Sequence, residues 1–324
     1  MAAHEQLTDI TKQYLHTYGT LKKKYPWHHS DARMFMLMAS MYSLHQRSFD
    51  IDQFDRLQQT IKKKNSWFSP LRSHQRFPIA GMLDCLAENP EDSWSSFKQL
   101  YSQLVQGPWG RGTSTYAAAL SYYTFFRDDF SAVPVFTAWY EFLQESFPDL
   151  TSADYYPLHA LYIHQFSGNK EQMVEHMNKA HHQLRQRDFK KGPQTQYLSF
   201  LAALNLESMN EPAYFERFDE ILDQWQSQKW HVRPFYYSLL GVLGFTASFS
   251  SIIDDARSIH ALLAEQSEFR RFHYFAVHIS IQIAVAHHAS VQGSDLSPAL
   301  IEAQRAIALQ ALNSSTSASA AITL

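Results

Sequence analysis

At 324 residues, with 45% hydrophobic content and 23 Phe, 17 Tyr and 7 Trp, the chain can build an ordered core and lies far from the composition of disordered proteins. A formal net charge of −3 supplies no global field towards nucleic acid or an acidic membrane face, so neither is expected as a partner. The single cysteine, Cys85, excludes an internal disulfide and a thiolate metal cluster, and favours a reducing compartment.

The apolar stretches 235–245 and 275–286 fall short of the ~20 residues a bilayer span needs. The amino-terminal residues lack the basic patch and apolar run of a secretory signal, and a soluble, cytoplasmic protein is expected. Cys85, inside an apolar run, is expected to be a buried and inert thiol.

Two lysine triplets give the first sign of internal order. Lys22-Lys23-Lys24 runs into Trp27 and Lys62-Lys63-Lys64 into Trp67, and a bulky apolar residue returns at Trp109, Leu150, Phe189, Trp230 and Phe269. A period near ~40 residues marks stacked supersecondary units, each unable to cover its own apolar face. The scarcity of Gly and Pro (10 and 12 residues) favours helices throughout.

The spacing predicts seven helical hairpins. The first occupies residues 7–47. In the second, Phe54, Leu57 and Ile61 fall at helical spacing, Ser69-Pro70 offers a cap with Pro at the first helical position, and Ile79, Met82, Leu83 and Leu86 form the stripe of the return helix. The third runs through Phe97, Leu100 and Leu104, breaks at 107–110 and returns from Thr113 through Tyr123. The fourth carries Phe136, Trp139, Tyr140 and Leu143, breaks at Phe147-Pro148 and returns through Leu158 and Leu161. The fifth breaks at 189–193 and returns through Tyr197 and Leu201. The sixth holds Phe215, Phe218, Ile221 and Trp225 and returns over 236–245; the seventh pairs Ile259, Leu262 and Leu263 with 274–288. Ser297-Pro298 opens a last helix to about residue 312 that would cap the array, and 313–324 reads as a frayed tail. The expected fold class is all-α: a right-handed α-hairpin solenoid forming one domain over 1–312, with an α/α toroid as the alternative.

Charge follows the same cadence. Turns inside hairpins are basic (Lys22–Lys24, Lys62–Lys64 with Arg72 and Arg76, Arg111, Lys190-Lys191, Lys229 with Arg233, Arg270-Arg271), whereas turns between hairpins are acidic (Asp50, Asp52, Glu91-Asp92, Asp128-Asp129, Glu171, Glu207, Glu211, Asp254-Asp255). The fourth hairpin departs, with Asp149 and Asp154 in its inner turn. Helix dipoles explain half of each pattern. Basic residues near the starts of return helices need another reason, and an edge that binds an anionic partner or a protein is one. Arg72 and Arg76, at i and i+4 in Ser69–Arg76, are the sharpest anion-binding candidates, because two guanidinium groups on a first helical turn can share a phosphate or carboxylate with free backbone N–H groups. Surface charge or pairing with acids of a neighbouring helix is the competing explanation.

Three adjacent histidine pairs, His28-His29, His181-His182 and His287-His288, raise the question of a metal. Adjacent helical residues point about 100° apart, a poor start for sharing one ion, and His159 and His164 are no better aligned; neither metal nor cofactor is expected. Paired tyrosines at 122–123, 155–156 and 236–237 fit core packing with a hydroxyl at the rim, although an aromatic concave face also suits a peptide. The acidic pairs fall in expected turns, where solvent leaves their pKa values unraised. No phosphate-binding glycine loop and no nucleophile elbow occurs, so an interaction scaffold is preferred to an enzyme with a central cleft.

The segments Ile61-Lys-Lys-Lys-Asn-Ser-Trp-Phe-Ser-Pro-Leu-Arg-Ser-His-Gln-Arg-Phe-Pro-Ile-Ala80, Leu150-Thr-Ser-Ala-Asp-Tyr-Tyr-Pro-Leu158 and Phe189-Lys-Lys-Gly-Pro-Gln-Thr-Gln-Tyr-Leu-Ser199 resemble the bacterial family catalogued as domain of unknown function 4003, over nearly the whole chain. The resemblance implies a soluble helical protein and transfers no catalytic residue. Arg72 and Arg76 match its pattern; His159 stands where a small residue is commoner, and Phe200 where a polar one is.

Overall fold

Segments with one apolar stripe alternate along the chain with segments apolar on every side, and each folds as a helix. The computed structural model describes residues 2–26, 32–67, 69–73, 75–147, 155–165, 170–206, 209–292 and 298–316. Trp27, His28, His29, His74, Asp149, Leu150, Thr151, Ser152, Asp154, Glu207, residues 293–297 and the last eight residues lie outside these.

Among the described residues there are α-helices and short 3-10 turns and no strand. The helices are α1 (Ala2–Lys24), α2 (Ala32–Leu44), α3 (Ile51–Lys63), α4 (Arg76–Leu86), α5 (Pro90–Leu104), α6 (Thr113–Phe126), α7 (Val133–Ser146), α8 (Tyr156–Gln165), α9 (Lys170–Gln186), α10 (Pro193–Leu206), α11 (Glu211–Ser227), α12 (Tyr237–Leu243), α13 (Phe249–Ala264), α14 (Ser267–Arg271), α15 (His273–Gln292) and α16 (Pro298–Thr316). No described helix is long and apolar enough to cross a membrane.

Contacts divide the chain into two compact units: an N-unit of residues 12–160 and 308–324, and a C-unit of residues 1–11 and 161–307. In the N-unit, α3 packs on α4 and α5 on α6, first helices touch first helices (α3 on α5, α5 on α7), and return helices touch return helices (α2 on α4, α4 on α6). The C-unit shows the same alternation, with α9 on α10, α11 on α12 and α13 on α15, joined by α11 on α13 and α10 on α12. Return helices begin at residues 32, 76, 113, 156, 193, 237 and 273.

Local signals explain most boundaries. The Asp50 carboxylate accepts from the N–H groups of Asp52 and Gln53 (2.8 and 3.2 Å) and opens α3. Asp129 caps the 3-10 turn Phe130–Ala132 through Ser131 N (2.9 Å), and Asn210 caps α11 through Ala213 N (3.0 Å). These backbone bonds, first among the causes, draw the Asp50 carboxyl below the usual range; for Asp129 the Ser131 hydroxyl leads and its N–H adds to the same effect.

One turn appears twice. Gly112 and Gly192 hold φ of 152° and 155°, a region that favours glycine, and three residues on Thr115 and Thr195 turn their hydroxyls back to the carbonyls of Gly110 and Lys190. Thr113 is the first residue of α6, and Gly112 occupies the cap position without a side-chain bond.

Several boundaries differ from the sequence expectation: α16 runs to Thr316, past the start of the expected tail at 313, and Glu91, Asp92 and Glu171 lie in first helical turns. Ser69 and Pro70 start only the 3-10 turn Pro70–Arg72, and α4 begins at Arg76. Asp254 and Asp255 lie within α13 rather than in a turn, because Phe249, Ile252, Ile253, Ala256 and Ile259 already form a buried helical stripe.

The core is layered. α4 and α12 are buried almost throughout and α2, α6 and α10 over most of their length, whereas α3, α7, α9, α11 and α13 bury one stripe. Cys85 is buried on α4. Close approach of return helices requires small residues. A Cβ on Gly241 of α12 would lie 2.8 and 2.9 Å from the Leu201 and Leu198 Cδ1 atoms of α10; on Gly81 of α4 it would meet Met38 Cε of α2 at 3.1 Å.

Gly→Ala in a helix interior ordinarily adds up to ~1 kcal/mol of stability. For Gly241→Ala we expect the opposite sign, a net loss of ~1–3 kcal/mol in chemical denaturation, because Leu198 and Leu201 are fully buried and have no free space to enter. Gly81→Ala should cost less, since the Met38 thioether can swing aside.

Candidate functional site

Bulky residues in the turns inside hairpins key each hairpin to the next. In the N-unit, Tyr25 after α1 packs on Phe54 of α3 (6.0 Å between centroids) and Phe77 of α4 (4.9 Å). Trp109 packs on Phe136 and Tyr140 of α7 (5.3 and 4.7 Å) and on Tyr156 of α8 (6.1 Å). In the C-unit, Phe189 meets Phe218 of α11 and Tyr237 of α12 (5.8 and 4.6 Å), and Trp230 meets His260 of α13 (6.1 Å). Phe269 is buried.

Trp67, in the second hairpin, breaks this rule: it is 78% exposed. The Arg72 guanidinium lies 5.0 Å from the centre of its ring, and Lys63 and Lys64 beside it are exposed.

The two arginines singled out from the sequence diverge. Arg72, half-buried, turns to Trp67. Arg76 is 7% exposed and points inward, where Nε donates to Gln58 Oε1 (2.6 Å) and Nη1 to the carbonyls of Arg72 (3.1 Å) and Ser73 (2.6 Å). Its guanidinium also covers Phe77 at 4.4 Å.

The network continues outward. Gln58 Nε2 and Tyr25 Oη both donate to Asp55 Oδ1 at 2.7 Å, and Lys24 Nζ stands 3.7 Å from Asp55 Oδ2. Burial pushes the Asp55 carboxyl up, but the bonds from Tyr25 and Gln58 and the Lys24 charge outweigh it and hold the group below its usual range. Arg76 therefore fixes the loop that presents Arg72 and Trp67, and part of the first lysine triplet serves the same framework.

A second buried polar cluster lies deeper in the N-unit. Asp84 of α4 is 1% exposed and accepts from Tyr42 Oη of α2 (2.6 Å) and from Gln53 Nε2 of α3. Burial raises its carboxyl above the usual range, only partly offset by those two bonds. The donors come from the buried Tyr42 and the half-buried Gln53, so Asp84 reads as a brace between three helices.

In the C-unit, Asp255 of α13 meets two adjacent histidines of α15: His287 Nδ1 lies 3.2 Å and His288 Nε2 3.0 Å from Asp255 Oδ2. Burial of Asp255 would raise its carboxyl, but the two imidazoles dominate and hold it below the usual range. Adjacent histidines can converge here because they use different ring nitrogens, a short reach for one and a long reach for the other.

Among the described residues, no other histidine joins a group of three or more potential metal ligands. His181 lies 3.4 Å from the Ser199 hydroxyl, and burial with nearby Arg185 and Lys191 lowers its pKa. His278, fully buried, is lowered to about 4 by desolvation. His164 pairs with Glu302 at 3.4 Å, and His159 is buried beside Tyr156. Phe200 is buried against Tyr162.

With this geometry in hand, comparison with known proteins settles the family. The model described as protein of unknown function DUF4003 matches residues 17–318. The chain belongs to this family. It is also 26% identical over 335 residues to the uncharacterized protein YeaA of Bacillus subtilis (strain 168), covering 98% of each. No solved structure matches significantly. Neither family nor relative carries a named reaction, so the DUF4003 fold must be interpreted through its own side chains.

Two measurements test this part of the description. Arg76→Ala should cost at least ~2 kcal/mol in denaturant unfolding, because three oxygens lose a buried donor, whereas Arg72→Ala should stay within ~0.5 kcal/mol. For Asp84 the sign follows from a folded-state pKa above the unfolded one. Its contribution is fully present below the ordinary value of 3.8 and is lost as pH rises through the raised value. The stability of wild type relative to Asp84→Asn should therefore fall with rising pH across that window and then level off.

Proposed function

We propose that the protein is an interaction scaffold of helical-hairpin repeats, stacked solenoid-fashion within each unit, whose basic inner turns bind an acidic protein segment around Trp67 and Arg72. Packing of first helices on first helices and of return helices on return helices supports the repeat reading. The observation that carries the binding site is Trp67: Trp109, Phe189, Trp230 and Phe269, its described aromatic counterparts in the series, pack against the protein, and this one stands 78% in solvent with an arginine against its face. Exposed tryptophan and arginine supply the largest binding contributions per residue at protein interfaces, and the neighbouring lysines add charge complementarity.

The acidic and basic halves of the charge pattern have different explanations. Asp50 and Asp129 are used as caps, which accounts for them structurally. Lys63, Lys64, Arg111, Lys190 and Lys191 are exposed at the opposite turns, where an anionic partner can meet them. Arg76 faces inward, so Arg72 alone of the pair is available to a ligand. This favours an extended acidic segment, read by a flat Trp-Arg platform, over a small anion clamped between two guanidinium groups.

The test is fluorescence anisotropy of a fluorescein-labelled, glutamate-rich peptide with interspersed apolar residues. We expect binding that weakens with added salt, and a loss of ~10-fold or more in Trp67→Ala and in Arg72→Glu, with helical circular dichroism unchanged. Equal binding by both variants, or none by the wild type, would overturn the proposal.

A further inference from the structure

The Asp255 cluster is independent of the Trp67 platform. Near the end of α15, His287 and His288 are 6% and 7% exposed in their side chains, and the facing Asp255 is 30% exposed. Their rings stand nearly perpendicular, at 87° with centroids 5.7 Å apart, yet both aim a nitrogen at the same carboxylate oxygen. The three donor atoms lie within 4.8 Å of one another.

Donors held at ~2.0–2.2 Å from a tetrahedral divalent ion stand roughly 3.3 Å apart. The two N···O separations, 3.0 and 3.2 Å, are already close to that value, so an ion could enter with small side-chain movements. We propose that Asp255, His287 and His288 form a binding site for a first-row divalent transition ion of the Zn2+ class, held by Asp255 Oδ2, His287 Nδ1 and His288 Nε2.

Two imidazoles and one carboxylate are donors that such ions prefer, whereas Mg2+ and Ca2+ favour all-oxygen sets. The part-exposed carboxylate gives a route from solvent and leaves a coordination position for water, as at ions that act on ligands rather than ions that only brace a fold. The two helices are a firm support, since α13 and α15 pack on each other and Ile252, Ile253, Ala256, Ile259 and residues 276–286 between them are buried.

A purely hydrogen-bonded cluster places the same atoms together but puts the protons elsewhere. Without an ion, His287 Nδ1 and His288 Nε2 carry hydrogens towards Asp255; with an ion, those nitrogens are bare donors and the opposite ones are protonated. Metal titration therefore separates the two readings.

The experiment is isothermal titration of the untagged, chelator-treated full chain with Zn2+, and a parallel Co2+ titration followed by visible absorption. We expect one ion per chain, Co2+ bands of four- or five-coordinate intensity, and a Zn2+ affinity lowered at least ~10-fold in Asp255→Asn and in His288→Gln, the scale of loss that even outer-sphere partners cause. Asp255→Asn keeps an oxygen acceptor for both rings and so should remain folded, while His231→Gln, at an exposed histidine, should bind as the wild type does. A dissociation constant weaker than about 0.1 mM for the wild type, Co2+ that keeps its pale aqua spectrum, or unchanged affinity in both site variants would each overturn the proposal.

Discussion

A helix that is apolar on every side cannot stand at a surface, and this chain contains a series of them. Most residues of α2, α4, α6, α10 and α12 are buried, so each must be covered by its own hairpin partner and by the helices before and after it. From that constraint follow the packing of return helix on return helix and the glycines at 81 and 241, where backbones approach. The amphipathic helices shield this inner layer while keeping one face in water. The turn aromatics Tyr25, Trp109, Phe189 and Trp230 then key each hairpin to its successor.

Two places depart from this pattern of packing. Trp67 belongs to the same series as Trp109 and Phe189 but is left in solvent, at a hydrophobic cost that a partner surface would recover. Burial of Arg76, satisfied by Gln58 and two backbone carbonyls, holds that loop in place, and the chain Tyr25–Asp55–Gln58 ties it to the preceding hairpin. In the C-unit the departure is polar rather than apolar: two histidines of α15 and a carboxylate of α13 meet beside a largely hydrophobic contact between the two helices.

Much of the helix plan was legible in the sequence because its signals are local. The break at 189–193 precedes a helix that starts at Pro193, Pro298 opens the last helix, and 3.6-residue periodicity marks stripes such as Phe54, Leu57 and Ile61. What escaped depends on residues distant in sequence. Arg72 and Arg76 looked alike at i and i+4; only Gln58, eighteen positions earlier, turns Arg76 inward, and the 3-10 turn at Pro70–Arg72 breaks the helix expected to align them. Likewise the divergence of His287 and His288 along a helix hides their convergence, since it is Asp255, thirty-two residues away, that draws Nδ1 of one and Nε2 of the other to a single oxygen. Asp255 itself was read as part of a turn because the start of α13 lacks a side-chain cap to announce it.

If the largely buried return helices hold each unit together, their backbone amides should open only when the unit unfolds. Native-state hydrogen exchange under increasing denaturant measures this directly. The account predicts that amides of α4 and α10 exchange slowest, converging on the global unfolding free energy, while those of α3 and α9 open at lower free energy. Protection of α3 and α9 equal to or greater than that of α4 and α10 would contradict it.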